Sequence, residues 1–98
     1  MGFDVDWTHG ADHMWASHRI TVAEAMEALA DVDALLFDPD PKSKSGVSAR
    51  VLGFSPTAGA VVVVILVHRQ DHPGGWWGAN GWRAGPPDLR TYREGNPQ

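Results

Sequence analysis

Cysteine is absent from the chain, so no disulfide can staple the fold and no thiolate can act as nucleophile or metal ligand. That suits a reducing cytosol. Long apolar runs are missing too, since the longest, Val61 to Val67, falls far short of the roughly 17 to 25 residues that cross a bilayer. The first residues, MGFDVDW, have neither the basic nor the apolar region of a secretory signal. The expectation is a soluble cytoplasmic protein with no membrane partner. Basic residues are scarce: eight lysines and arginines stand against twelve acids, for a net charge of −4. Phosphate binding needs a positive footprint, so this balance weighs against a general nucleic-acid coat. The scarcity is uneven, however. Residues 1–40 carry nine acids against Arg19 alone (−8), and residues 41–98 carry seven bases against three acids (+4). A local basic patch is therefore open to the second half.

At 98 residues the chain is a single domain, 1–98, able to bury roughly two-thirds of its unfolded surface. Its organising stretch is the valine run. Valine and isoleucine are stiff at the first side-chain torsion and fit a pleated sheet, and a run without polar alternation predicts a strand covered on both faces. Ahead of it, Phe3, Val5 and Trp7 alternate with Asp4 and Asp6 and predict a first strand. Ala11, Met14, Trp15 and His18 fall at helical spacing, predicting a helix over 9–18. Thr21 and Glu24 form a capping-box pattern before a stripe of Val22, Ala25, Met26 and Leu29. Residues 34–37 read as a second strand stopped by Asp38 Pro39 Asp40 Pro41, and 47–54 as a third. Ser55 to Gly59 turns the chain back into the valine run, and 76–82 reads as the last strand, with Gly78 and Gly81 marking a bulge or a close backbone approach. Gly85 Pro86 Pro87 Asp88 starts a helix that turns Leu89 and Tyr92 inward. Residues 95–98 are expected to fray. Strands segregated from helices in this order predict an α+β domain: a small antiparallel sheet packed by two N-terminal helices and a C-terminal helix.

Two groups of side chains stand out on composition. Trp76, Trp77 and Trp82 cluster near the last strand, where tryptophans can stack bases, fill a small core or serve an interface. Six residues separate Trp76 from Trp82, so simple alternation puts those two on one face and Trp77 on the other. His9, Asp12 and His13 have the i, i+3, i+4 spacing of a helical metal face, but the same spacing is common on solvated helices. No metal or other cofactor is expected.

The segment His18 Arg19 Ile20 Thr21 Val22 Ala23 Glu24 Ala25 resembles the pattern His-Gly-Val/Ile-Ser/Thr-Phe-Glu-Glu-Ala, followed by a strand ending in Asp-Pro where this chain has Leu35 to Asp40. Arg83 Ala84 Gly85 Pro86 Pro87 Asp88 with Tyr92 is similar, at the same spacing, to Arg-Ala-Thr-x-x-Glu and a tyrosine four residues on. Both patterns belong to the BrnT-like toxins of bacterial type II toxin-antitoxin systems. The resemblance covers about residues 3–94. It implies a RelE-like fold, ribonuclease activity on messenger RNA without a metal, and a small antitoxin partner. Trp82 stands where that family has the first of two arginines, Gly85 where it has threonine, and Asp88 where it has glutamate.

Metal-free RNA cleavage needs a base for the 2′-hydroxyl, an acid for the 5′-oxygen and a cation for the phosphorane charge. Arg83 and Arg50 can supply charge, Asp88 or His68 a base, and Tyr92 or His68 an acid. His68 leaves the central strand at the end opposite Arg83, so the expected cluster is Arg83, Asp88, Arg90 and Tyr92 near the last helix. Arg50 joins only if its strand register permits. Arg83, Asp88, Tyr92 and Arg50 are thus the catalytic candidates, and Arg90 and Trp82 the RNA-binding ones. The expected function is a toxin-like ribonuclease, full or attenuated, bound to an antitoxin in a hetero-oligomer or as a homodimer. The alternative is a non-catalytic protein- or nucleic-acid-binding module on the same scaffold.

Overall fold

The valine run becomes the middle of a five-stranded sheet. The computed structural model describes residues 2–96. Its strands are Asp4–Asp6 (β1), Leu35–Phe37 (β2), Ser48–Ser55 (β3), Ala60–His68 (β4) and Gly75–Arg83 (β5), and its helices Ala11–His18 (α1), Val22–Ala30 (α2) and Pro86–Gly95 (α3). The strands lie in the order β1-β5-β4-β3-β2. All neighbours are antiparallel except β1, which runs parallel to β5. The architecture is α+β, and among the described residues no helix is long and apolar enough to cross a membrane.

The absence of polar alternation in β4 has a direct cause. Val62, Val64 and Leu66 pack beneath α1 and α2 with Met14, Ala25 and Leu29, whereas Val61 and Val63 face the other way, toward Leu89 and Tyr92 of α3. Residues 61–64 are all buried, and each such side chain contributes roughly 1.5–3 kcal/mol. Two close approaches to the sheet depend on positions that carry no side chain. A Cβ at Gly53 would overlap the Ala28 carbonyl of α2, and one at Gly78 would overlap the Trp7 ring.

Local signals hold at the helix ends. Thr21 Oγ1 accepts from the Glu24 N–H (3.1 Å) and Glu24 Oε1 accepts from the Thr21 N–H (2.9 Å), closing the capping box ahead of α2. Helix α1 starts at Ala11 rather than His9, after a turn in which the Ala11 N–H donates to the Trp7 carbonyl (3.1 Å). Its spacing also misleads at one position: Met14 is fully buried, but Trp15 is 48% exposed. At the other end of the chain α3 runs through Gly95, which packs on Leu35. The Asn96 amide then donates to the carbonyls of Asp33 (3.0 Å) and Tyr92 (2.9 Å). Of the end expected to fray, residues 97 and 98 lie outside the described residues.

One irregularity decides which side chains can meet. Ile65 pairs with Asn80 but Leu66 pairs with Gly78, so Ala79 is an extra residue in β5. A bulge of this kind resets the alternation beyond it. Directly paired residues share a face, so Trp77 (opposite Val67) and Trp82 (opposite Val63) lie on the α3 face, and Trp76 (opposite His68) lies on the α1/α2 face. The expectation that Trp76 and Trp82 share a face is therefore corrected. Simple counting fails because it assumes a regular strand.

Candidate functional site

The residues expected to form one cluster fall into three groups, with Arg90 outside them all. The first group is a buried ion-pair knot. In β3, Arg50 is paired across the sheet with Ile65 and so projects onto the α3 face. Its Nε donates to Asp40 Oδ1 and its Nη1 to Asp88 Oδ2, both at 3.1 Å. Asp40 Oδ1 also accepts from the Lys42 N–H (2.9 Å). The three side chains are 9%, 6% and 17% exposed, low enough that the cation and the carboxylates depend on one another for compensation. Arg50 does join Asp88, as the register permits, but two carboxylates on one guanidinium leave the knot with an excess negative charge. It is poorly suited to a phosphate.

Tyr92 forms the second group. Although Asp88 and Tyr92 are one turn apart on α3, the Tyr92 hydroxyl donates to Asp31 Oδ2 in the segment after α2. The same carboxylate oxygen accepts from the Phe54 N–H (2.7 Å), and Asp31 Oδ1 accepts from the Asp33 N–H (3.0 Å). Burial pushes the Asp31 carboxyl up, but these three donors, Tyr92 foremost, outweigh it and hold Asp31 below the usual carboxylate range. Burial, then the hydrogen bond to Asp31 and its charge, push the Tyr92 phenol well above its usual range. Tyr92 is thus a fixed donor tying α3 to the end of α2, its hydroxyl proton committed to Asp31.

The third group is an open hollow of about 570 Å³ lined by Ser17, His18, Trp82 and Arg83. It sits where the C-terminal end of α1 meets the last residues of β5. Arg83 is paired with Val62, so it projects to the α1/α2 face, opposite to Arg50. Trp82 spans the two settings: its ring lies 5.6 Å from the His18 ring and 5.6 Å from the Arg50 guanidinium carbon. Among the described residues Arg83 and Arg19 have no ion-pair partner, in contrast to Arg50 and Arg69. The hollow therefore combines an imidazole, an uncompensated guanidinium and an indole.

The remaining candidates stay apart from it. Arg90 is exposed on α3 and joins neither the knot nor the hollow. His68 packs on Trp76 (ring centroids 3.9 Å) and meets Asp38 at 2.7 Å. It lies at the far end of β4 from Val62, the partner of Arg83, as the strand order requires. His9 precedes α1 and packs on Trp77, whereas His13 approaches His18. Among the described residues no three His, Asp or Glu side chains gather as a metal site.

Sequence reasoning missed three participants. His18 reads as the last position of an apolar helix stripe, yet a histidine closing such a stripe beside Arg19 was a usable signal. Asp40 reads as part of a strand stop and Asp31 as the residue beyond a helix. Neither carries a local sign of its partner, ten and sixty-one residues away. No family model matches this chain, and no curated protein matches it in sequence.

Proposed function

We propose that this chain is a BrnT-like toxin of a type II toxin-antitoxin pair, RelE-like in fold, which cuts messenger RNA in the cytoplasm without a metal. The observation that carries the reading is the hollow uniting His18, Trp82 and Arg83. Those side chains meet the chemical requirement for a base and a cation. An imidazole can take the 2′-hydroxyl proton as that oxygen attacks phosphorus, while the 5′-oxygen, departing on the opposite side as the P–O5′ bond breaks, takes its proton from water. The products are a 2′,3′-cyclic phosphate and a 5′-hydroxyl. The Arg83 guanidinium offsets the charge that builds on the phosphorane, and Trp82 offers a face on which an unstacked base can rest. The acidic surplus of residues 1–40 suits a basic antitoxin, assembled with the toxin as a hetero-oligomer.

Incubation of the purified chain with single-stranded RNA in the presence of a chelator tests this reading. The expected result is endonucleolytic products with cyclic phosphate ends, and a loss of about 100-fold or more in rate for His18→Ala and for Arg83→Ala. Unchanged cleavage by Arg83→Ala would remove that residue as the phosphate-binding cation. A second reading, a non-catalytic binding module on the same scaffold, is favoured by one observation: Asp88 and Tyr92, the expected base and acid, are spent on Arg50 and Asp31. RNA or antitoxin retained without any cleavage would select it.

A further inference from the structure

Helix α1 ends in a way that favours a glycine and carries an arginine instead. Arg19 caps it in the left-handed region (φ 55°, ψ 36°), with its N–H donating to the Trp15 carbonyl (3.0 Å). Among the described residues it is the sole non-glycine residue with positive φ. An L side chain is strained there and glycine is not, so the guanidinium is held in place against a local cost. Strain of this kind collects at functional positions. The side chain folds back over the indole of Trp15, 5.2 Å from the ring centroid. Neither residue has an evident structural task. Trp15 is 48% exposed while its neighbour Met14 fills the core, and Arg19 meets no carboxylate among the described residues.

Their location gives them one. Ser17 and His18, which line the hollow, lie between them in sequence. Trp15 and His18 are three residues apart on α1, hence adjacent on its surface at about 5–6 Å between Cβ atoms. The His18 ring lies 5.6 Å from Trp82. Both indoles are thus neighbours of His18, Trp15 by its place on the helix surface and Trp82 by ring contact. An uncompensated guanidinium accompanies each: Arg83 beside Trp82, Arg19 over Trp15. Alternating stacking faces and cations is the arrangement that tracks a single strand, because every base offers a π-face and every linkage a charge.

We infer that Trp15 and Arg19 form a second nucleotide subsite beside the hollow, taking the base and phosphate that adjoin the residue held at Trp82. The ligand is single-stranded RNA, since a base must be free of its own stack to reach Trp15. Binding there is tolerant of sequence, because stacking and charge, not base edges, supply it. The inference rests on the reading that the hollow holds RNA.

Arg19→Gly separates binding from folding, since glycine accepts the left-handed conformation without strain. Affinity of a labelled single-stranded oligouridylate is measured by fluorescence anisotropy for the parent, Arg19→Gly, Trp15→Ala and Arg83→Ala, alongside thermal unfolding. Affinity is expected to fall about tenfold for Trp15→Ala and severalfold for Arg19→Gly, with the Arg19→Gly midpoint unchanged or raised. An RNA duplex should bind more weakly than the single strand. Parent-like affinity in both Trp15→Ala and Arg19→Gly, with loss in Arg83→Ala alone, would overturn the subsite and leave the hollow as the RNA site. Absence of RNA binding by the parent would overturn both. Equal binding of duplex and single strand, or loss of self-association rather than of RNA affinity in the two variants, would also overturn the subsite.

Discussion

Two arginines flank Trp82 and have opposite fates. Arg50 approaches from β3 on the α3 face, is almost wholly buried, and is held by Asp40 and Asp88. Arg83 follows Trp82 directly, projects to the other face, is exposed, and has no carboxylate partner among the described residues. The same residue type is a structural rivet in one place and a free charge in the other. What separates them is the reach of acids from distant segments, which burial then makes obligatory. An arginine's chemistry thus follows from its partners, and its nearness in sequence to a tryptophan or an aspartate decides little.

Removal of Arg50 breaks the comparison most severely. Arg50→Ala leaves two carboxylates in the interior with no cation, so about 3–5 kcal/mol of stability should be lost. For a domain of this size the thermal midpoint should then fall by roughly 15 °C or more, readable by calorimetry or circular dichroism. A smaller effect belongs to the tie between α3 and α2. Tyr92→Phe removes one hydrogen bond to a charged acceptor and should cost about 1.5 kcal/mol in denaturant titration. If Tyr92 were a catalytic acid instead, the substitution would lower the cleavage rate by far more than the stability.

Acid should act on two hydrogen-bonded carboxylates, Asp31 and Glu27 of α2. Hydrogen bonds from the Thr57 and Ser55 hydroxyls and the Thr57 N–H hold Glu27 below its ordinary range, and Asp31 is lowered against its burial by Tyr92 and two backbone N–H groups. A depressed folded-state value means that stability is fully present above the unfolded-state value and is lost as pH falls through the folded one. Stability is therefore expected to hold at neutral pH and to drop from about pH 4 downward. Glu27→Gln should make that acid limb shallower. The smallest stability change is expected at the other arginine. Arg83→Ala should alter stability by no more than about 0.5 kcal/mol, as for an ordinary surface position. A loss resembling that of Arg50→Ala would show that Arg83 is a second rivet and that the comparison is false.

Much of the fold is legible in the residues, for physical reasons that are local. The capping box needs Thr21 and Glu24 three residues apart, the β3–β4 hairpin needs turn residues between two apolar runs, and α3 needs a proline-led first turn. The site was legible only in part. Arg83 is singled out by the resemblance and its charge, and Trp82 by its place in the tryptophan cluster, but the grouping of Arg83 with Asp88 and Tyr92 fails. Helical spacing brings Asp88 and Tyr92 onto one side of α3 without saying which acceptor or donor each will find. Trp15 shows the same limit, because the spacing that buries Met14 cannot tell whether its neighbour is covered.

By itself, then, the sequence determined the order of elements, the doubly covered central strand and the separation of His68 from Arg83, all of which follow from short-range stereochemistry and strand direction. The tertiary structure alone decided the rest. The bulge at Ala79 reversed the facing of Trp82 relative to Trp76, because a single extra residue inverts every later side chain of a strand. Asp40 and Asp31 captured Arg50 and Tyr92 because buried charges and hydroxyls require partners wherever the fold supplies them. His18 met Trp82 and Arg83 because the end of α1 packs beside the last residues of β5, beyond the three that pair with β1, an encounter that no spacing along the chain encodes.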